Sequence, residues 1–187
     1  MPDRDAIDPV RMPTERFSPQ IDAAHQAQHA VAGACALGRC DAVLSGYMGD
    51  AGIGHAILDA VARVRAGNPR ALYCCDPVIG DDAHGVYVRP GIAELMREQA
   101  LPLADIATPN AFELRLLTGQ PDTTLAEAKQ AIAALQARMH PGGPRSVLLT
   151  SLRTTETPAD ALDMLVGEGG QFHLLRSPLL PVELNGA

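Results

Sequence analysis

The apolar positions of this chain change their period along its length, and each change marks an element. Residues 42–44, Ala-Val-Leu, form a short apolar run that reads as a buried strand; Ser45-Gly46-Tyr47-Met48-Gly49 follows, with glycines that permit a sharp exit. Ile53, Ile57, Val61 and Val64 then recur at helical spacing, predicting a helix over residues 53–65 that stops near Gly67-Asn68-Pro69. Residues 71–75 return to strand character. If both strands share a sheet, this β-α-β unit is parallel and right-handed. The alternation continues with a loop and short strand over residues 82–88, a helix over 90–99, and a strand at Ile106-Ala107. Pro109-Asn110 opens a helix that Gly119 closes, and the Thr124-x-x-Glu127 capping box starts another that runs to Met139. Residues 146–149 form the next buried strand, with Thr150-Ser151 at its exit, and residues 161–166 and 172–175 flank a Gly-rich turn as an antiparallel hairpin. This order predicts an α/β fold: a mainly parallel sheet flanked by helices on both faces, with a C-terminal β-hairpin.

The amino-terminal end reads differently. Residues 1–19 mix four prolines with charges and show no apolar period, an irregular lead-in. Ser18-Pro19 offers an N-cap and a proline for a first helix over the Ala-rich residues 21–37, which Gly38 ends. The domain is therefore expected over residues 20–187.

Composition narrows the function. A chain of 187 residues with 47% apolar content suits one domain with a full core. Its net charge of −7 argues against nucleic acid, so an anionic nucleotide would be held by local amides and a cation. No apolar run has transmembrane length and no leader pattern stands at Met1, which sets the expectation of a soluble, cytoplasmic protein without a membrane partner. Cys35, Cys40, Cys74 and Cys75 lack paired zinc spacing, and the vicinal pair reads as a strand end with side chains facing opposite ways. His25 and His29 lie four apart without a third ligand at a supporting spacing, and Lys129, the only lysine, reads as surface charge.

Two stretches carry the candidate chemistry, Cys74-Cys75-Asp76-Pro77-Val78-Ile79-Gly80-Asp81 and residues 105–113, Asp-Ile-Ala-Thr-Pro-Asn-Ala-Phe-Glu. Each passes from strand-like residues into polar ones held by Pro or Gly, so Asp76, Asp81 and Glu113 would gather at the carboxyl ends of strands, where α/β sheets bind ligands. Hard carboxylate oxygens suit Mg²⁺ bridging phosphates. The same residues have plainer readings: Asp76 as a turn former, Asn110 and Glu113 as a first-turn cap with a dipole-matched acid, Tyr47 as packing, Thr150-Ser151 as a strand terminus.

In order and spacing these stretches, with Asp41-Ala42-Val43-Leu44-Ser45-Gly46-Tyr47 and Val147-Leu148-Leu149-Thr150-Ser151, resemble the pyridoxal kinases of the ribokinase-like superfamily. Asn110-Ala111-Phe112-Glu113 fits the superfamily's N-x-x-E pattern, and Gly46-Tyr47 with the Asp-Pro-Val-x-Gly-Asp run favours pyridoxal kinase over hydroxymethylpyrimidine kinase. The resemblance implies ATP-dependent phosphorylation of the 5′-hydroxymethyl of pyridoxal, pyridoxine or pyridoxamine. It implies that Asp76, Asn110, Glu113, Thr150, Ser151, Gly186 and Ala187 border ATP. Gly46 and Tyr47 would meet the substrate, Tyr87 would cover the phosphates, and Asp81, Thr108 and Glu113 would arrange Mg²⁺ and a monovalent cation. A homodimer is implied for the complete protein. Alternatives are a non-catalytic nucleotide- or vitamin-binding remnant and a hydroxymethylpyrimidine kinase-like enzyme.

The resemblance fails at both ends. The family's first strand region, with its substrate-recognising serine, has no counterpart in residues 1–19, and Asn185-Gly186-Ala187 resembles the beginning of a Gly-x-Gly-Asp run without its aspartate, the family's catalytic base. No other carboxylate takes that role, since Glu183 precedes the turn. This implies a chain that is inactive or nearly so, because general-base work contributes on the order of 10²- to 10⁴-fold.

Overall fold

The computed structural model describes residues 37–179. The lead-in, His25, His29, Cys35, the helix expected over residues 21–37 apart from Leu37, and Glu183, Asn185, Gly186 and Ala187 lie outside the described residues.

The first β-α-β unit is β1 (Ala42–Ser45), α1 (Ala51–Gly67) and β2 (Leu72–Cys75), with β1 and β2 parallel from Ala42↔Leu72 to Ser45↔Cys75. Helix α1 starts two residues earlier than its apolar period shows, because the Asp50 carboxylate accepts the Ile53 amide as an N-cap. Its buried face is Gly54, Val61 and Val64, whereas Ile53 is exposed. After β2 come the short antiparallel strands β3 (Gly80–Asp81) and β4 (Gly85–Val86), which form a separate hairpin.

The helix expected over residues 90–99 is not uniform. A single turn, α2 (Ile92–Leu95), widens into a π turn at Met96–Ala100 and tightens to 3₁₀ at Leu101–Leu103. Pro102 is the local cause, since it has no amide to donate and its ring crowds the preceding turn. Strand β5 (Ile106–Ala107), α3 (Ala111–Thr118), α4 (Leu125–Gln136), β6 (Ser146–Leu152), β7 (Ala161–Glu168) and β8 (Gln171–Pro178) complete the order. Both α3 and α4 begin with full capping boxes, at Asn110/Glu113 and Thr124/Glu127.

The main sheet runs β1-β2-β5-β6-β7-β8, parallel as far as β6 and antiparallel across β7 and β8. Thr150 and Ser151 belong to β6 and do not terminate it: the strand reaches Leu152 through a register shift, with Ser151 at φ 53°. The hairpin turn of β7 and β8 is Gly169-Gly170, both at positive φ, so each strand extends further than its apolar core suggests.

Alternation along the strands sends Val43, Tyr73, Cys75, Ala107, Val147, Leu149 and Leu165 to one face, where they meet Val61, Leu114, Leu117, Ile132 and Leu135 in a single core. The described helices therefore pack on that face, and the expectation of helices on both faces extends past the described residues. Leu44 and Leu72, on the opposite side of their strands, are exposed.

Candidate functional site

Parallel pairing of β1, β2, β5 and β6 brings their carboxyl ends to one edge, and backbone bonds carry the register past the strands. The Asp76 amide donates to Ser45 O (2.9 Å), Thr108 to Cys75 O (3.1 Å) and Thr150 to Pro109 O (2.9 Å). Gly46, Tyr47, Asp76, Thr108, Asn110 and Thr150 thus sit along one edge, although they span more than a hundred residues of sequence.

Residues 77–81 arch over this edge, and Val78 lies at φ 42°, a strained conformation for a β-branched residue. The arch is gripped from α3. Glu113 Oε1 accepts the amides of Ile79 (2.6 Å) and Gly80 (3.4 Å), while its Oε2 accepts the Asn110 amide (2.9 Å). Asn110 Oδ1 accepts the Glu113 amide (2.9 Å), and Asn110 Nδ2 donates to Gly80 O (2.8 Å). Burial pushes the Glu113 carboxyl up, the three amides oppose this, and the Asp76 charge adds to it, leaving it above the usual carboxylate range.

Both Glu113 oxygens accept backbone amides, and its side chain is buried. The plainer cap reading describes its bonds, with the grip on residues 79 and 80 added. Asp81 is bonded within its own hairpin. Its Oδ1 accepts the amides of Ala83 (2.9 Å) and His84 (2.7 Å) and lies 3.0 Å from His84 Nδ1, and these contacts with His84 hold its carboxyl below the usual range. Among the described residues, no three His, Cys, Asp or Glu side chains gather closely enough to hold a metal ion. The three-carboxylate cation cluster expected from Asp76, Asp81 and Glu113 does not form.

Asp76 differs from both. Among the described residues no hydrogen-bond donor is bonded to its carboxylate, while its charge raises the titration of Cys74, Cys75, Glu113 and Tyr87 around it. Tyr87 is pushed up by burial and then by Glu113, Asp81 and Asp76, with Tyr47 also in range. Tyr47, Tyr87 and the three acids therefore share one neighbourhood, and both tyrosines are exposed.

Beside them lies a cavity of ≈ 140 Å³ lined by Asp81, Asp82, Asn110, Ala111, Phe112 and Ser151. Sequence reasoning named Asp81, Asn110 and Ser151 but missed Asp82 and Phe112. Nothing local separates Asp82 from Asp81, and Phe112 stood in the N-x-x-E stretch without a role of its own. Below the edge, Ser45 Oγ and Tyr73 Oη lie 2.8 Å apart in the core, and burial pushes the Cys75 thiol up to about 11, which fits packing and not reactivity. Cys75 is fully buried and Cys74 half-buried, as vicinal residues on opposite faces should be.

The phosphomethylpyrimidine kinase family matches residues 24–187. The chain belongs to that family. Among curated relatives, the pyridoxal kinase PdxY of Granulibacter bethesdensis is 62% identical over 151 residues, which cover 81% of this chain and 53% of the relative. The chain spans about half the length of the curated relatives it matches. Pyridoxal kinase from Leishmania donovani, in complex with ADP and pyridoxamine, superposes with a TM-score of 0.68 at 25% identity, over 94% of this chain and 58% of that one. A Bacteroides thetaiotaomicron protein ascribed to the phosphomethylpyrimidine kinases, in a crystal form with pyridoxal, gives 0.67 at 26% identity, over 84% of this chain and 55% of that one. The fold of this family member is ribokinase-like. Among its described residues no helix is long and apolar enough to cross a membrane.

Proposed function

We propose that these residues form the core of a pyridoxal kinase, which transfers the γ-phosphoryl group of ATP to the 5′-hydroxymethyl of pyridoxal, pyridoxine or pyridoxamine. The observation that carries this reading is Asp76, a carboxylate with no bound donor among the described residues, at the carboxyl end of β2 and in one neighbourhood with Tyr47 and Tyr87. An acid unpaired among the described residues at that edge, in a chain 62% identical over 151 residues to a pyridoxal kinase, supports a cation–phosphate assembly there.

Mg²⁺ keeps several waters and binds through one or two carboxylates plus phosphate oxygens, so Asp76, with Asp81 at the hairpin, suits it where a full protein cage does not. When bound it neutralises charge on the phosphates. Thr108, half-buried beside Asp76, is assigned to a monovalent cation or its waters. Asn110 and Glu113 act on the site by fixing residues 79 and 80. Thr150, Ser151, Gly186 and Ala187 border the nucleotide. Gly46 and Tyr47 meet the pyridine ring, and Tyr87 covers the phosphates. The enzyme works in the cytoplasm as a homodimer.

The resemblance implies a base aspartate in a Gly-x-Gly-Asp run, of which Asn185-Gly186-Ala187 resembles the beginning. A chain extended through a Gly-x-Gly-Asp run should therefore form pyridoxal phosphate on the order of 10²-fold faster or more than residues 1–187 alone. Equal turnover by the two would overturn the assignment of the base. Preference of the extended chain for hydroxymethylpyrimidine over pyridoxal would replace the substrate with the one for which the family is named.

A further inference from the structure

The guanidinium of Arg115 on α3 sits between two acids from different parts of the fold. Its Nη1 donates to both oxygens of Asp122, at 3.0 and 2.9 Å, in the loop between α3 and α4. Its Nη2 donates to Asp82, at the turn of the β3–β4 hairpin. The two acids differ in surroundings, the Asp122 side chain being 8% exposed and that of Asp82 67%.

The hairpin needs outside support. It has two paired positions, Gly80↔Val86 and Asp81↔Gly85, and residues 82–84 at its tip are exposed. Glu113 and Asn110 grip its base, and the Asp81 carboxylate shapes its turn from within. Among the described residues, the Asp82–Arg115 bond is what joins the tip to another element. An exposed ion pair ordinarily contributes little, because two long side chains must be ordered to make it. Here the buried Asp122 has already oriented the guanidinium, so holding Asp82 orders less.

We propose that Arg115 is a positioning residue: anchored by Asp122, it fastens the hairpin tip and so keeps Asp81 and Asp82 at the cavity. Its bearing on catalysis rests on the kinase reading of this edge; the fastening itself does not.

Hydrogen exchange on the 187-residue chain tests it. Asp82→Asn removes the tip partner without stranding Asp122, and it should speed exchange across residues 80–87 by about two- to fivefold while leaving the unfolding midpoint unchanged. Arg115→Gln should speed the same amides, and the double variant should exceed neither single change there, since both remove one bond. About 1 M salt should reproduce the effect in the wild type and add little in Asp82→Asn. Unchanged exchange in Asp82→Asn, a rise spread evenly over the sheet, or additive effects in the double variant would overturn the proposal. If Arg115→Gln does not fold, Asp82→Asn and the salt comparison decide it. Absence of protection of residues 80–87 by Mg-ATP in the wild type would count against the kinase reading alone.

Discussion

Asp105 and Asp76 stand at opposite ends of the sheet and are treated in opposite ways. At the amino end, Asp105 is buried and accepts the Tyr73 amide (2.7 Å) and Arg65 Nη2, with His140 Nδ1 at 2.9 Å. Burial pushes its carboxyl up, but the Tyr73 amide, His140 and Arg65 outweigh it and leave it below the usual range. One side chain there ties β2, α1 and the turn before β6 together. At the carboxyl end, Asp76 has no such partner among the described residues, and the backbone beside it is strained at Val78. Charge at the amino edge is satisfied within the fold, and the proposed kinase reading assigns the charge at the carboxyl edge to a bound cation and its phosphates.

The contrast breaks most sharply under mutation. Asp105→Ala should cost about 3–5 kcal/mol in urea unfolding, because it leaves Arg65 without its charge partner and the Tyr73 amide without an acceptor. Asp76→Asn should stay within about 0.5 kcal/mol of the wild type, as expected where no bond is lost. A costly Asp76→Asn would show that the carboxyl edge is held by structure after all.

Glu113→Ala comes next, at about 2–4 kcal/mol, since the amides of Ile79, Gly80 and Asn110 lose their acceptor. Gly80→Ala should follow at about 1–3 kcal/mol, because a Cβ there would lie 2.3 Å from Gly85 O and 2.7 Å from the Phe112 ring. Its effect should be largest in hydrogen exchange of β3 and β4 and small in the sheet.

Acidity gives the smallest and most selective test. Asp105 titrates lower in the fold than its ordinary 3.8, so its contribution is present above that value and is lost as pH falls through the folded one. Glu113 titrates higher than its ordinary 4.5, so its contribution is full below that value and declines as pH rises through the folded one. Stability measured against pH should therefore lose its acid fall in Asp105→Asn and its opposing slope at higher pH in Glu113→Gln. Identical profiles in both variants would remove the distinction between the two edges.

The sequence showed its local features well and its long-range ones poorly. The Thr124/Glu127 box, the Gly-rich hairpin and the order of elements in the β-α-β unit follow from neighbouring residues. The role of Glu113 does not, because the amides it accepts at Ile79 and Gly80 lie 34 and 33 residues earlier. A capping box and a metal ligand share the same N-x-x-E letters, and only the folded arch separates them. Thr150 and Ser151 looked like a strand end because they are polar, whereas backbone pairing carries β6 past them to Leu152. Asp105 stood within a recognised motif, yet its partners Arg65 and His140 lie 40 and 35 residues away and carried no signal.

On the proposed function, a nucleotide and its cation meet this chain at the carboxyl edge of the sheet, beside Asp76. Calorimetric titration of residues 1–187 with ATP, with and without Mg²⁺, tests it most directly when wild type and Asp76→Asn are compared at matched stability. The account predicts weak binding that requires Mg²⁺ and falls about tenfold or more in Asp76→Asn, a loss of roughly 1.4 kcal/mol. Tight binding without the metal, or binding that Asp76→Asn leaves unchanged, would contradict it.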